Sequence, residues 1–94
     1  MDIVSFKHKG LRLFFETGQS RRLPQSRISK IRQILTAIDN AQTLEEFDTM
    51  PGWRLHELSG NRAGTWSIVV TGNYRFTFTV ENKQIHNVDL EDYH

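Results

Sequence analysis

Residues 65–90, TWSIVVTGNYRFTFTVENKQIHNVDL, decide the fold. Two runs rich in β-branched and aromatic residues, 65–70 and 74–80, flank a short TGN break. Such residues suit a pleated, half-buried surface. Gly72-Asn73 is a hairpin signal, because tight hairpin turns need residues that tolerate positive φ. Within 74–80 the pattern alternates. Tyr74, Phe76, Phe78 and Val80 form an apolar set, and Arg75, Thr77 and Thr79 form a polar one. Side chains of a strand point alternately to its two faces, so this sheet is covered on one side and open on the other. A second turn, read at Glu81-Asn82, sends the chain back through QIHNVDL as an antiparallel strand. That register sets Arg75 near Val88, and a slip of one residue would invert the face.

Upstream, WRLHEL (53–58) alternates Trp53 and Leu55 against Arg54 and His56, and reads as one more strand. SGNRAG (59–64) joins it to the hairpin as a polar loop. The meander therefore has about four strands. The N-terminal half is different. DIVSF (2–6) is a short first strand, and HKGLRLFFETG (8–18) follows as a helix. In that helix Leu11, Phe14 and Phe15 share a side, and Gly18 is a left-handed stop. After Pro24, Ile28, Ile31, Ile34, Leu35 and Ile38 form an apolar stripe at helical spacing. Thr43 and Glu46 fit a capping box that opens a short turn, which Pro51-Gly52 ends. A strand, two or three helices and an antiparallel meander predict an α+β domain with its helices on one sheet face.

With 94 residues, 1–94 is read as a single domain. Hydrophobic content is 37%, but 11% of residues are aromatic, and each buried ring contributes a large apolar area. Cysteine is absent, which removes disulfide frameworks and thiolate metal sites and fits a reducing cytoplasm. No apolar run is long enough to span a membrane, and the N-terminal residues lack a signal-peptide core. The four histidines have no tight ligand spacing, so no metal and no cofactor is assigned. The net charge of +1 hides an asymmetry: residues 1–36 carry +6 and residues 37–94 carry −5. Cations concentrated in one half suit a polyanion, and equally suit two well-solvated helices.

On the open face the alternation gathers Arg54, His56 and Arg75. The terminal triplet Asp92, Tyr93 and His94 can fold back over them. Imidazoles, a carboxylate, a phenol and guanidiniums are the parts of a metal-free ribonuclease. The 2′-hydroxyl of RNA attacks the adjacent phosphate; a base takes its proton, an acid protonates the leaving 5′ oxygen, and cations hold the phosphate. Histidine suits either proton role, with an unperturbed pKa of about 6.5. Arginine supplies a permanent fork of donors. Asp92 can orient an imidazolium or act as base, and Tyr93 can stack on a nucleobase. Each residue also has a structural reading. His56 can be a hydrogen-bonded surface residue, and Arg75 can pair with Asp89 or Glu91. Tyr93 can cap the sheet edge, and His94 can belong to a frayed end. His8 and His86 read as structural or exposed rather than catalytic. The loop 59–64 can offer backbone N–H groups to phosphate.

In combination, L-x-G-x-R-x-G-x-W-S-I (58–68), N-Y-R-F-x-F (73–78), terminal E-D-Y-H (91–94) and the opening IVSFKHKGLRLFFETG (3–18) resemble the HigB toxins. These belong to the RelE-like superfamily of bacterial toxin–antitoxin systems. The resemblance implies a compact α+β fold with a concave basic face. It implies a ribosome-dependent endoribonuclease that cuts translated mRNA through the 2′-hydroxyl, without metal, in the bacterial cytoplasm. It implies a HigA-like helix-turn-helix antitoxin, with operator DNA reached only through the toxin–antitoxin complex. Carried over on matching motifs, the catalytic set is His56, Arg75, Asp92, Tyr93 and His94. His94 or Asp92 would handle the 2′-OH proton, His56 would assist proton transfer and Arg75 would stabilise charge. Arg21, Arg22, Arg27, Lys30, Arg32, Arg54 and Arg62 would contact RNA and the ribosome. Some relatives carry lysine where this chain has Ser59, and Arg62 or Arg54 can replace that cation. Two rival readings fit the same features: a toxin of this superfamily aimed at DNA gyrase, and a non-catalytic partner of a DNA-binding antitoxin.

Overall fold

Alternating strands with one apolar face need a layer to bury that face, and the helices supply it. The computed structural model describes residues 1–92. Its elements are β1 (Asp2–Ile3), α1 (Lys9–Thr17), α2 (Ile28–Asn40), β2 (His56–Glu57), β3 (Thr65–Val69), β4 (Tyr74–Glu81) and β5 (Gln84–Asp92). The five strands form one sheet in the order β1-β5-β4-β3-β2. The meander β2 to β5 is antiparallel, and β1 lies parallel to β5 at one edge. The α+β architecture and the strand–helices–meander order match the sequence reading.

Both helices form where the apolar spacing places them. In α1, His8 is the N-cap, its Nδ1 accepting from the Leu11 N–H at 3.1 Å. This is the structural role read for it. The helix stops at Gly18, whose φ of 82° lets its N–H bond the Phe14 carbonyl. Along α2 the stripe Ile31, Ile34, Leu35 and Ile38 is buried. After it, Glu46 and Thr43 close the capping box; the Gln42 and Thr43 N–H groups, donating to the Glu46 carboxylate, hold its pKa below the ordinary value. From the sheet, Ile68, Phe76, Phe78, Ile85 and Val88 are fully buried against this layer. Each such side chain contributes about 1.5–3 kcal/mol through burial.

Three sequence-level expectations change. First, Trp53–Leu58 is not a full strand: only His56–Glu57 pairs with β3. Arg54 has φ of 50°, which breaks the extended path, while Trp53 is buried and its carbonyl accepts from the Val69 N–H. Second, the β4–β5 turn is Asn82-Lys83, not Glu81-Asn82; both residues have positive φ and Glu81 pairs with Gln84. Third, the register does not set Arg75 near Val88. Arg75 lies opposite Glu91.

The last change has a second cause. Between Thr79↔His86 and Thr77↔Asp89 the ladder shifts, so Asn87 and Val88 oppose Phe78 alone. Asn87 has φ of 57°, a bulge residue in the left-handed region. Unbroken pairing from the Asn82-Lys83 turn would set Leu90 against Arg75 and send Glu91 to the apolar side. The bulge reverses this: Leu90 joins the core and Glu91 reaches the open face.

Candidate active site

Residues opposite one another in the ladder project from the same face. His56 pairs with Ser67, Ser67 with Thr77, and Val69 with Arg75, which pairs with Glu91. His56, Thr77, Arg75 and Glu91 therefore share the face away from the helices. At a strand spacing of about 4.8 Å, β2 and β4 stand roughly 10 Å apart, a distance one nucleotide and a reaching side chain can bridge.

Glu91 is the centre of this face. Its carboxylate accepts from Arg62 Nη1 and Nη2 at 2.9 and 2.5 Å. It also accepts from Arg75 Nε and Nη2 at 3.1 and 2.9 Å, and from Thr77 Oγ1 at 2.8 Å. The Glu91 side chain is 18% exposed, Arg75 24% and Arg62 38%. The Arg62 hydrogen bonds, with those from Thr77 and Arg75, overcome the opposing effect of burial and lower the Glu91 pKa to about 2. Glu91 in turn raises the Arg62 pKa. A permanent carboxylate thus holds two permanent guanidiniums side by side. The local chain makes this arrangement in three ways. The Asn87 bulge turns Glu91 outward, β4 alternation presents Arg75 and Thr77, and a 3-10 turn at Gly60–Arg62 carries Arg62 over the sheet. That loop is tied down where the Gly64 N–H donates to Glu57 Oε2 at 2.9 Å.

His56 is exposed on β2, with Nδ1 3.0 Å from the Arg54 carbonyl oxygen. A carbonyl only accepts, so this contact is a hydrogen bond when Nδ1 carries the proton. In the neutral ring Nε2 then keeps the lone pair a general base needs. Asp92 ends β5, exposed and opposite Tyr74; strict alternation puts it on the pleat of Leu90 rather than that of Glu91. Tyr93 and His94, the rest of the expected triplet, lie outside the described residues.

The expected RNA-binding cations fall into separate groups. Arg62 joins Arg75 on the open face, and Arg54 is exposed beside His56. Arg21, Arg22 and Arg27 are exposed around and between the helices, on the layer that covers the opposite sheet face. Lys30 and Arg32 of α2 lie over aromatic rings, 5.3 Å from the Trp53 centroid and 5.4 Å from that of Phe14. Among the described residues no three His, Cys, Asp or Glu side chains converge as metal donors. Sequence reasoning treated Glu91 only as one of two acids able to pair with Arg75. It missed the clamp with Arg62. The spacing Ile85, Val88, Leu90, three then two, was the available signal: an apolar face that skips a residue marks a bulge.

Solved structures share this fold at low identity. The YoeB/ParE toxin from Agrobacterium tumefaciens superposes with a TM-score of 0.60 at 15% identity, covering 100% of both chains. YafQ from E. coli gives 0.56 at 14%, covering 98% of this chain and 93% of that one. The class defined is the compact α+β fold that these proteins share. Within it, the family model described as RelE-like toxin of type II toxin–antitoxin system HigB matches residues 4–94. Proteus vulgaris "Endoribonuclease HigB" is 42% identical over 92 residues, 98% of this chain and 99% of that protein. Vibrio cholerae "Toxin HigB-1" is 36% identical over 76 residues, 80% of each. This chain belongs to the HigB-like family of RelE-like toxins of type II toxin–antitoxin systems.

Proposed function

We propose that this toxin, an endoribonuclease, cuts translated mRNA on the ribosome by attack of a 2′-hydroxyl on the adjacent phosphate. The single observation that carries the reading is the paired guanidiniums of Arg62 and Arg75 on an open sheet face with His56. That face belongs to a family member whose 42%-identical relative bears the name endoribonuclease. Two Arg62 donors serve Glu91, and a guanidinium carries five, so Arg62 can also donate to a phosphate oxygen. Arg62 can supply the cation that some relatives carry as a lysine at the position of Ser59. Arg75 stabilises charge on the pentacoordinate phosphate. Preorganised donors of this kind contribute more than mobile ones, because no reorganisation is needed as charge develops. His56 Nε2 assists proton transfer, and His94 takes the 2′-OH proton, with Tyr93 stacking on a base. Each acid–base partner contributes about 10²–10⁴-fold.

The whole chain, 1–94, acts as one toxin domain in the bacterial cytoplasm. Arg21, Arg22, Arg27, Lys30, Arg32 and Arg54 dock on ribosomal RNA phosphates, a contact that weakens with salt. The ribosome then supplies orientation that a minimal site lacks. A HigA-like helix-turn-helix antitoxin neutralises the toxin and carries the complex to operator DNA.

Brief expression followed by primer extension on a translated mRNA tests this. Breaks within codons are expected from the wild type and not from His94→Ala, and an inhibitor of translation initiation, which leaves the mRNA without translating ribosomes, abolishes them. Intact mRNA together with DNA damage points to a gyrase target instead. A chain fully toxic without residues 92–94 removes the catalytic role of the triplet.

A further inference from the structure

Beside the Glu91 clamp, the open face holds a cavity of about 210 Å³. Lys7 borders it from the β1–α1 connection, Asn61 and Arg62 from the 59–64 loop, and Thr65 and Thr79 from the sheet. Asn87, the bulge residue, completes it. Among the described lining residues only Ala63 is apolar. We propose that this cavity is an RNA subsite that seats one nucleotide next to the scissile phosphate, with Lys7 on the backbone phosphate and Asn61 and Asn87 on the base edge or ribose hydroxyls. The proposal deepens the ribonuclease reading and rests on it.

Four observations carry it. The size is below the roughly 300–1,000 Å³ of sites for drug-sized ligands, which suits a single nucleotide unit rather than a longer ligand. The chemistry is that of a nucleotide: two cations for an anionic phosphate, and amides and hydroxyls, each donor and acceptor, for base edges and a 2′-OH. A cation ligand is disfavoured by Lys7 and Arg62, and an apolar one has almost nothing to contact. Position links the cavity to the chemistry, since Arg62 and Thr77 both line it and bond Glu91. A chain of RNA leaving the paired guanidiniums along this face enters the cavity. Lastly, Asn87 is held rather than loose. Its N–H donates to Ser5 Oγ at 2.8 Å and its Nδ2 to Thr79 Oγ1 at 3.2 Å. The bulge that brings Glu91 to the open face also sets this amide at the cavity, and bulges beside sites re-aim side chains in this way.

The test is fluorescence anisotropy of the purified toxin with a labelled 2′-fluoro oligoribonucleotide, which its own 2′ position cannot cut. The double variant Lys7→Ala/Asn61→Ala alters two exposed residues and keeps the core, which circular dichroism verifies. Lys9→Ala removes the same charge two residues away, on an exposed position of α1 outside the cavity. The double variant is expected to bind about tenfold more weakly, the loss from one charge-assisted hydrogen bond. Lys9→Ala is expected to stay within about twofold of wild type. Equal binding by the double variant, equal losses in both variants, or no binding by wild type overturns the subsite. If expression yields no mRNA breaks while the tenfold difference persists, the nuclease reading fails and the RNA subsite stands.

Discussion

The two faces of this sheet are both buried at its centre and are held by different forces. Toward the helices, Ile68, Phe76 and Phe78 are 0% exposed among apolar neighbours. Away from them, Ser67 and Thr77 are 1% and 2% exposed, yet Thr77 donates to Glu91, which also holds Arg62 and Arg75. Apolar burial is non-directional and scales with area. The polar face depends on five hydrogen bonds converging on one carboxylate. The first gives stability that tolerates small changes of shape. The second gives fixed donors at a surface that RNA can reach, and it answers to protons.

The largest expected effect breaks the apolar face. Phe76→Ala should cost about 3–5 kcal/mol in urea unfolding, because it leaves a cavity under β3 and β5. On the polar face, Glu91→Ala should cost about 1–3 kcal/mol, since Arg62, Arg75 and Thr77 lose a shared charged acceptor. It should also lower mRNA cleavage more than Phe76→Ala does when both are assayed on the folded fraction. Thr77→Val should cost about 1 kcal/mol, one hydrogen bond with shape retained, measured the same way.

Acid sharpens the contrast further. Glu91 has its folded pKa depressed from 4.5 to about 2. Its contribution is therefore complete above the ordinary carboxylate range and lost as pH falls through that range toward about 2. Unfolding measured from pH 6 to pH 2 should show this loss in wild type and not in Glu91→Gln. Phe76→Ala should show the wild-type slope, displaced by a constant.

Much of the helical layer was legible because its causes are local. The α2 stripe, the Gly18 stop and the Thr43–Glu46 capping box depend on residues within a few positions of one another. The hairpin between β3 and β4 was legible too, although it closes through residues 70–73 and neither Gly72 nor Asn73 takes the positive φ expected of them. The face shared by His56 and Arg75 followed from alternation and survives, although the strand bearing His56 is shorter than read. Register was not legible. It turned on a turn displaced by one residue and a bulge at Asn87, two local choices whose effects reach Glu91 at the far end of β5.

The residue order by itself determined the element types, their sequence and which β4 side chains face the helices, since periodicity and turn chemistry act at short range. Tertiary structure alone decided that Glu91 rather than Leu90 meets Arg75, and that Arg62 comes over from a separate loop to join them. Both depend on strand pairing between distant segments. A one-residue shift there exchanges core for surface, and only the packed sheet selects among the shifts.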